Sequence, residues 1–141
     1  MAAEDGLDRF VAAQAGVYDQ ALAELEAGRK RTHWMWFVFP QIAGLGHSAM
    51  ARHYAIASRR EAAAYLAHPL LGSRLVACTA AVLRHRGTPA DLIFGDVDAV
   101  KFRSSMTLFE AAAVENEPLF GTALESFHRG KRDPRTLELL G

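Results

Sequence analysis

The stretch KFRSSMTLFEAAA, residues 101–113, indicates a long and largely buried helix. Successive residues of an α-helix are about 100° apart, so Phe102, Met106, Phe109 and Ala113 share one apolar face. Charged side chains occupy only one narrow part of the remaining surface, as is typical of a helix that is buried on most sides. This segment therefore predicts a helical core.

Start and stop signals predict helices over almost all of the chain. Gly16 interrupts the apolar spacing between Leu7 and Leu25, which predicts two helices there. Ser58 and Glu61 match a capping box before another helix. Further helices are expected from about Pro69 to Arg86, Pro89 to Phe94, Val97 to Val114, Pro118 to near Gly130, and Asp133 to Leu140. We therefore predict an all-α, single-domain bundle of about six to eight helices over residues 1–141, with residues 1–6 as a flexible tail.

Composition indicates one globular domain. The chain has 141 residues, half of them hydrophobic and 23% charged, which is enough to bury a core. Its single cysteine, Cys78, lies in an apolar run and is expected to be a buried packing thiol in a reducing, cytoplasmic environment. No apolar run is long enough to cross a bilayer. No pair of histidines has metal-ligand spacing, so we expect no metal and no cofactor.

Charge is distributed unevenly along the sequence. Residues 1–27 carry a net charge of −5, residues 28–86 of +8 and residues 87–141 of −3. The balanced total argues against general nucleic-acid binding. The basic middle either forms ion pairs with the acidic flanks or attracts an anionic ligand, such as a small molecule that bears phosphate.

The segment RKRTHWMWFVFPQ, residues 29–41, is a candidate site because three cations and a histidine directly precede both tryptophans. It suits a pocket with an aromatic floor and a positive rim. Its Trp34–Phe39 part is either a lone strand or a short irregular helix capped by Thr32 and ended by Pro40. The candidate ligand-binding residues here are Arg29, Lys30, Arg31, Trp34, Trp36 and Gln41, with His33 as the candidate general acid or base.

Lys101, Ser104 and Ser105 form a second candidate group. They lie on a helix face made of small residues and one long cation, which leaves room for a ligand. The alternative is that the small residues only permit close helix packing. Because unpartnered buried polar groups are costly, we expect segments 29–36 and 101–105 to meet at one polar cavity bordered by His33 and Ser105.

These blocks, together with Tyr54–Ser58 and Asp133–Leu137, resemble the signature of a family of unknown function, DUF1810. The resemblance covers about Leu7 to Gly141 and implies a compact, mostly helical domain with no established activity. Members are often labelled "calpastatin" in genomes, but calpastatin-type inhibitors are disordered and this chain is rich in apolar residues. A weaker likeness, in the order of its blocks, is to NADAR domains, which act on ADP-ribose derivatives.

Two functions of different classes follow. In the first, an enzyme acts on a nucleotide or ADP-ribose-like substrate, with Lys101 and Ser105 polarising it and a tryptophan stacking on it. Arg103 and the cations of segment 29–31 would hold phosphate oxygens, and Gln41 and Ser104 would complete the pocket. In the second, a non-catalytic domain binds a small ligand or a protein tail in the same pocket. The sequence contains no evident carboxylate or activated nucleophile, which favours the second, whereas the concentration of hydrogen-bonding side chains beside aromatic residues favours the first.

Overall fold

A computed structural model describes the protein over residues 2–113 and 118–141, with side chains from residue 6 onward. These ranges contain ten helices and no strand. The helices are α1 (Ala2–Gln14), α2 (Tyr18–Glu26), α3 (Met35–Val38), α4 (Ala49–His53), α5 (Arg59–Ala67), α6 (Leu71–Leu83), α7 (Ala90–Phe94), α8 (Asp96–Ala112), α9 (Leu119–His128) and α10 (Pro134–Leu140). Seven of them have seven or more residues, so the predicted helical bundle is confirmed.

Most predicted helix ends lie close to the observed ones. The Ser58 hydroxyl accepts a hydrogen bond from the Glu61 amide at the start of α5, as the capping box requires. Gly16 separates α1 from α2 with a φ of 75°. Helix α1 begins at Ala2 and therefore takes in most of the predicted tail over residues 1–6. The predicted end of α8 at Val114 lies outside the described residues.

The aromatic segment forms the short helix α3, and the lone-strand alternative is wrong. Thr32 does not cap α3, since Trp34 occupies the cap position without a side-chain hydrogen bond. Beyond α3 the chain makes one isolated parallel bridge between Ile42 and Ile56. This bridge holds the ends of the loop that carries α4, a helix that the sequence did not predict.

Helix α8 lies at the centre of the core and packs against α5, α7, α9 and α10. Phe102 on α8 contacts the rings of Phe39, Phe94, Phe127 and His128. Its ring is stacked with that of Phe94 at 4.7 Å and meets the Phe39 ring edge-on at 5.1 Å. Cys78 on α6 is fully buried, as predicted, and burial raises the pKa of its thiol to about 12. The core thus holds α3, α7 and the first half of α8 in fixed positions.

Gly72 permits the close approach between α5 and α6. A Cβ atom at Gly72 would lie only 2.0 Å from the carbonyl oxygen of Leu66, which belongs to the backbone and cannot rotate away. We expect Gly72→Ala to lower the free energy of unfolding by about 1–3 kcal/mol, the usual cost of overpacking. Gly87→Ala is the control, because a Cβ there meets nothing within 4 Å. Urea denaturation should separate the two variants, and equal stabilities would contradict the expected collision.

Among the described residues, no single helix has both the length and the apolar character needed to cross a membrane. Helices α5 and α6 reach that length and hydropathy only when taken together, across a bend of 88°.

Candidate functional site

Segment 29–34 combines exposed side chains with anchored ones. Arg29, Arg31, Thr32 and His33 are exposed, although the Thr32 hydroxyl is hydrogen-bonded to Glu24. The Lys30 ammonium is anchored, since its Nζ lies 2.9 Å from Asp98 Oδ2 and 5.1 Å from the centroid of the Trp34 ring. The Lys30 amide also donates to the Ile93 carbonyl at 2.7 Å. These contacts attach the segment to α7 and α8.

The carboxylate of Glu24 anchors the same segment from the other side. Glu24 Oε1 accepts hydrogen bonds from the amides of Arg31 and Thr32 and from the Trp34 indole, at 2.7, 3.0 and 2.9 Å. Its Oε2 accepts from the Thr32 hydroxyl and the Gln20 amide. Burial by itself would raise the pKa of Glu24, but the hydrogen bonds from Arg31, Thr32 and Gln20 outweigh it and lower the pKa to about 2. A buried, ionised carboxylate therefore fixes the path of the chain into α3.

The two predicted segments meet at Trp36 and Lys101. Trp36 is half-buried, and Lys101 Nζ lies 4.9 Å from the centroid of its ring. Lys101 Nζ is also 3.4 Å from Asp98 Oδ1, so Asp98 bridges the lysines of both segments. Trp36 and Lys101 border a groove of about 630 Å³ between the α3–α4 loop and the first half of α8. We call it the α8 groove. Its lining residues are Trp36, Gln41, Leu45, Gly46, His47, Ser48, Ala51, Asp96, Val97, Val100, Lys101, Ser104 and Asp133.

Ser104 and Asp133 form the polar wall of the α8 groove. The Ser104 hydroxyl donates to Asp133 Oδ2 at 3.2 Å. The same oxygen accepts the Thr136 amide at 3.1 Å, so Asp133 caps α10 as predicted. The Asp133 amide in turn donates to the Thr107 hydroxyl on α8 at 2.9 Å. These bonds hold a carboxylate at the groove without any side-chain cation paired to it among the described residues.

A smaller cavity of about 240 Å³ adjoins the α8 groove beside α4. We call it the α4 pocket. Its lining residues are Trp36, Gln41, Ile42, Ala43, Gly44, Gly46, Ala51, Arg52, Tyr54 and Ala55. The two cavities share four of these residues, which are Trp36, Gln41, Gly46 and Ala51. Trp36 thus lies at the junction of the two.

Four of the predicted site residues come together in the α8 groove. They are Trp36, Gln41, Lys101 and Ser104. The two tryptophans differ in their surroundings, because Trp34 is fully buried and Trp36 borders the groove. Trp34 is consequently enclosed by protein and does not line the groove as a ligand-binding residue.

His33 and Ser105 line neither the α8 groove nor the adjoining cavity beside α4, so their predicted common pocket stays a prediction. His33 is exposed, while the backbone amide of Thr32 and the indole of Trp34 on either side of it are bound by Glu24. Ser105 is fully buried, since it lies about 100° further around α8 than Ser104 and points into the core. Its hydroxyl has no hydrogen-bond partner among the described residues. Neither side chain reaches the groove as a catalytic group.

The predicted phosphate-binding cations also lie outside the α8 groove. Arg29 and Lys30 border a separate cavity of about 530 Å³ with α7, and Arg31 is exposed. Arg103 donates from Nε to the Lys131 carbonyl at 2.6 Å and from Nη2 to the Arg132 carbonyl at 2.7 Å. It therefore fixes the loop between α9 and α10, and its donors are directed to backbone rather than to a ligand.

Several residues of this region were not predicted from the sequence to belong to the site. They are Glu24, His47, Ser48, Arg52, Asp96 and Asp98. Asp98 could have been predicted, since it lies three residues before Lys101 on the same helix, a spacing at which the two side chains can form an ion pair. Glu24 and Gln20 have the i,i+4 spacing of helix neighbours, but the other partners of Glu24 are seven to ten residues distant and lie beyond the end of α2, so no local pattern marks Glu24 as an anchor. No group of three or more potential metal-ligating side chains occurs within residues 6–113 and 118–141.

The fold and the groove can now be compared with known proteins. The family of proteins of unknown function DUF1810 matches residues 4–140, and the chain belongs to this family. The crystal structure of the conserved hypothetical protein Rv1873 from Mycobacterium tuberculosis is similar, with 51% sequence identity and a TM-score of 0.92. The similarity covers 95% of each chain. No curated protein sequence matches this chain.

Proposed function

We propose that the α8 groove binds a small molecule of the nucleotide class, including ADP-ribose-like ligands. The observation that carries this proposal is the place of Trp36, a half-buried indole at the junction of two cavities with an ammonium group beside its ring. An indole in this position provides a surface for a planar base. Exposed Val97 and Val100 extend the apolar surface of the same groove.

The polar groups of the α8 groove match the hydroxyl and amino groups of such a ligand. Asp96 and Asp133 are carboxylates that accept hydrogen bonds, as ribose hydroxyls and exocyclic amines require. Ser104 and Gln41 both donate and accept. A groove of about 630 Å³ lies within the range of ordinary ligand sites. With an aromatic surface, two carboxylates and one lysine, the groove is better suited to bind a nucleoside than a small inorganic anion.

Binding without catalysis is the function that these residues support best, because His33 and Ser105 do not reach the groove. An enzyme that acts on the same ligand is the second candidate. It is favoured by Asp133, whose carboxylate lies 3.2 Å from the Ser104 hydroxyl in the wall of the groove. If the native protein converts ADP-ribose and Asp133→Asn does not, the protein is an enzyme rather than a non-catalytic binding domain.

The cellular location of the protein can also be proposed. We infer a cytoplasmic protein, because the single cysteine is buried as a reduced packing thiol and no disulfide supports the fold of the described residues. A fractionation experiment with antibody detection would test it.

Lys101→Ala tests the proposed groove directly. AMP or ADP-ribose should raise the melting temperature of the native protein, because a ligand that binds only the folded state stabilises it, by about 2.7 kcal/mol at a hundred times its Kd. We expect Lys101→Ala to weaken binding about tenfold, the scale of one charged hydrogen bond. Lys131→Ala, an exposed lysine outside the groove, should bind as the native protein does. The absence of any shift with either ligand would refute the proposal.

A further inference from the structure

The α4 pocket and the α8 groove differ in charge. The α8 groove is lined by two carboxylates, those of Asp96 and Asp133, and by one lysine. Among the described residues, no carboxylate lines the α4 pocket, and Arg52 is its only charged lining residue. Because charge decides where an anionic group is stable, a ligand with one neutral and one anionic end has a preferred orientation across the two cavities.

Arg52 is free to bind such an anionic end. It is exposed at the end of α4, and its guanidinium makes no hydrogen bond or ion pair with any residue that the structure describes. Most charged side chains close to the α8 groove are already engaged, as Lys30, Lys101 and Asp98 are with one another. Arginine presents several donors in a planar fork that matches phosphate oxygens.

The backbone of the α3–α4 loop adds further donors to the α4 pocket. Gly44 and Gly46 line it, and within the described residues their amides donate no hydrogen bond. The neighbouring Ala43 amide, in contrast, is bound to the Ile56 carbonyl at 2.8 Å. A Cβ atom at Gly46 would lie 2.6 Å from that of Ala51, so the backbone of this loop packs closely against α4. Free amides next to an unpaired arginine are suited to an anion.

The α4 pocket and the α8 groove are also adjacent, as one ligand that occupies both would require. They share Trp36, Gln41, Gly46 and Ala51, so a ligand on Trp36 can extend into both. The smaller volume, about 240 Å³, accommodates the compact end of the ligand, and the larger, about 630 Å³, accommodates its base and sugar.

We propose that the α4 pocket is the phosphate subsite of this protein. Arg52 and the amides of Gly44 and Gly46 bind the phosphate of a nucleotide, while the base and ribose lie in the α8 groove beside Trp36. The inference rests on the proposed function, and it specifies the ligand class further, as a nucleoside bearing a 5′ phosphate or diphosphate. It also assigns the phosphate to a cation other than those of segment 29–31.

The test compares adenosine with AMP by isothermal titration calorimetry of the full chain. We expect the native protein to bind AMP more tightly than adenosine. Arg52→Ala should weaken AMP binding tenfold or more and leave adenosine binding unchanged, since only the charged phosphate contact is lost. Arg52→Lys should keep part of the AMP affinity, because it retains the charge without the fork. The matched control is Arg60→Ala, because Arg60 is an exposed arginine on α5 whose side chain lies outside both cavities and pairs with none of the residues that the structure describes.

The outcomes separate this inference from the function on which it rests. Selective loss of AMP affinity in Arg52→Ala supports the phosphate subsite. Equal AMP affinity in Arg52→Ala and the native protein overturns the subsite, as does equal affinity of the native protein for adenosine and AMP. In both of those cases the nucleotide-binding function stands. If the native protein binds neither adenosine nor AMP, the subsite and the proposed function are both wrong.

Discussion

Glu24→Ala should lower the free energy of unfolding by about 2–4 kcal/mol at neutral pH. Glu24 is 5% exposed and accepts hydrogen bonds from two backbone amides, a hydroxyl and two side-chain N–H groups. Without the carboxylate, the Trp34 indole N–H is left in the protein interior with no acceptor, and each such unsatisfied donor is costly. Urea denaturation followed by circular dichroism would measure the loss.

Glu26→Ala is the matched control, because Glu26 lies on the same helix but its side chain is exposed and forms no hydrogen bond within the described part of the chain. Its effect should stay within about 0.5 kcal/mol, as for ordinary surface changes. If Glu24→Ala is no more destabilising than Glu26→Ala, the carboxylate does not anchor segment 29–34.

The contribution of Glu24 should also depend on pH. Its pKa in the folded protein is about 2, below the usual value near 4.5, so the folded state favours the ionised form. The stabilisation is therefore fully present above about pH 4.5 and is lost as the pH falls towards 2. The difference in stability between the native protein and Glu24→Gln should narrow over this range.

Trp34→Ala and Trp36→Ala should differ in their effects on stability and binding, although the two residues are separated only by Met35. Trp34 is fully buried, and its removal should cost about 3–5 kcal/mol of unfolding free energy. Trp36 is half-buried at the groove, and its removal should cost less than about 2 kcal/mol. Only Trp36→Ala should retain a stable fold while losing most of its affinity for AMP.

Each tryptophan variant serves as the control for the other, since both remove the same atoms. Denaturation curves would give the stabilities, and calorimetry on the folded variant would give the affinity for AMP. Similar costs for both substitutions would show that the two indoles do not divide structural and binding roles. Unchanged AMP affinity in Trp36→Ala would remove the basis of the proposed function.

Local signals explain why the long helices could be predicted. The caps at Ser58 and Asp133 act within three residues, and both are present in the structure. Helix α4 could not be predicted in the same way, because it has five residues and none of them is buried. Thr32 was wrongly predicted as a cap, since its hydroxyl binds Glu24. That competition depends on contacts distant in sequence, which local patterns do not record.

The meeting of the two candidate segments was predictable from the sequence, but the orientation of their individual side chains was only partly predictable. Cations beside tryptophans and a lysine with two serines on a buried helix were both unusual, and the structure brings Trp36 within 4.9 Å of Lys101. The direction in which each side chain points depends on how α8 is rotated about its axis in the core. This rotation places Ser104 at the groove and Ser105 in the core. Tertiary packing sets the rotation, and the residues next to the serines in the sequence do not determine it.

Because Trp34 and Trp36 have different surroundings, their fluorescence should report on two different properties of the protein. Trp34 is enclosed and its indole N–H is bound to a carboxylate at 2.9 Å, so its emission follows the loss of tertiary structure. Trp36 borders two solvent-accessible cavities, so its emission responds to a quencher such as acrylamide and to an occupant of the groove. Trp36→Phe and Trp34→Phe isolate the two signals. Unfolding and ligand occupancy can then be followed optically in the unlabelled chain.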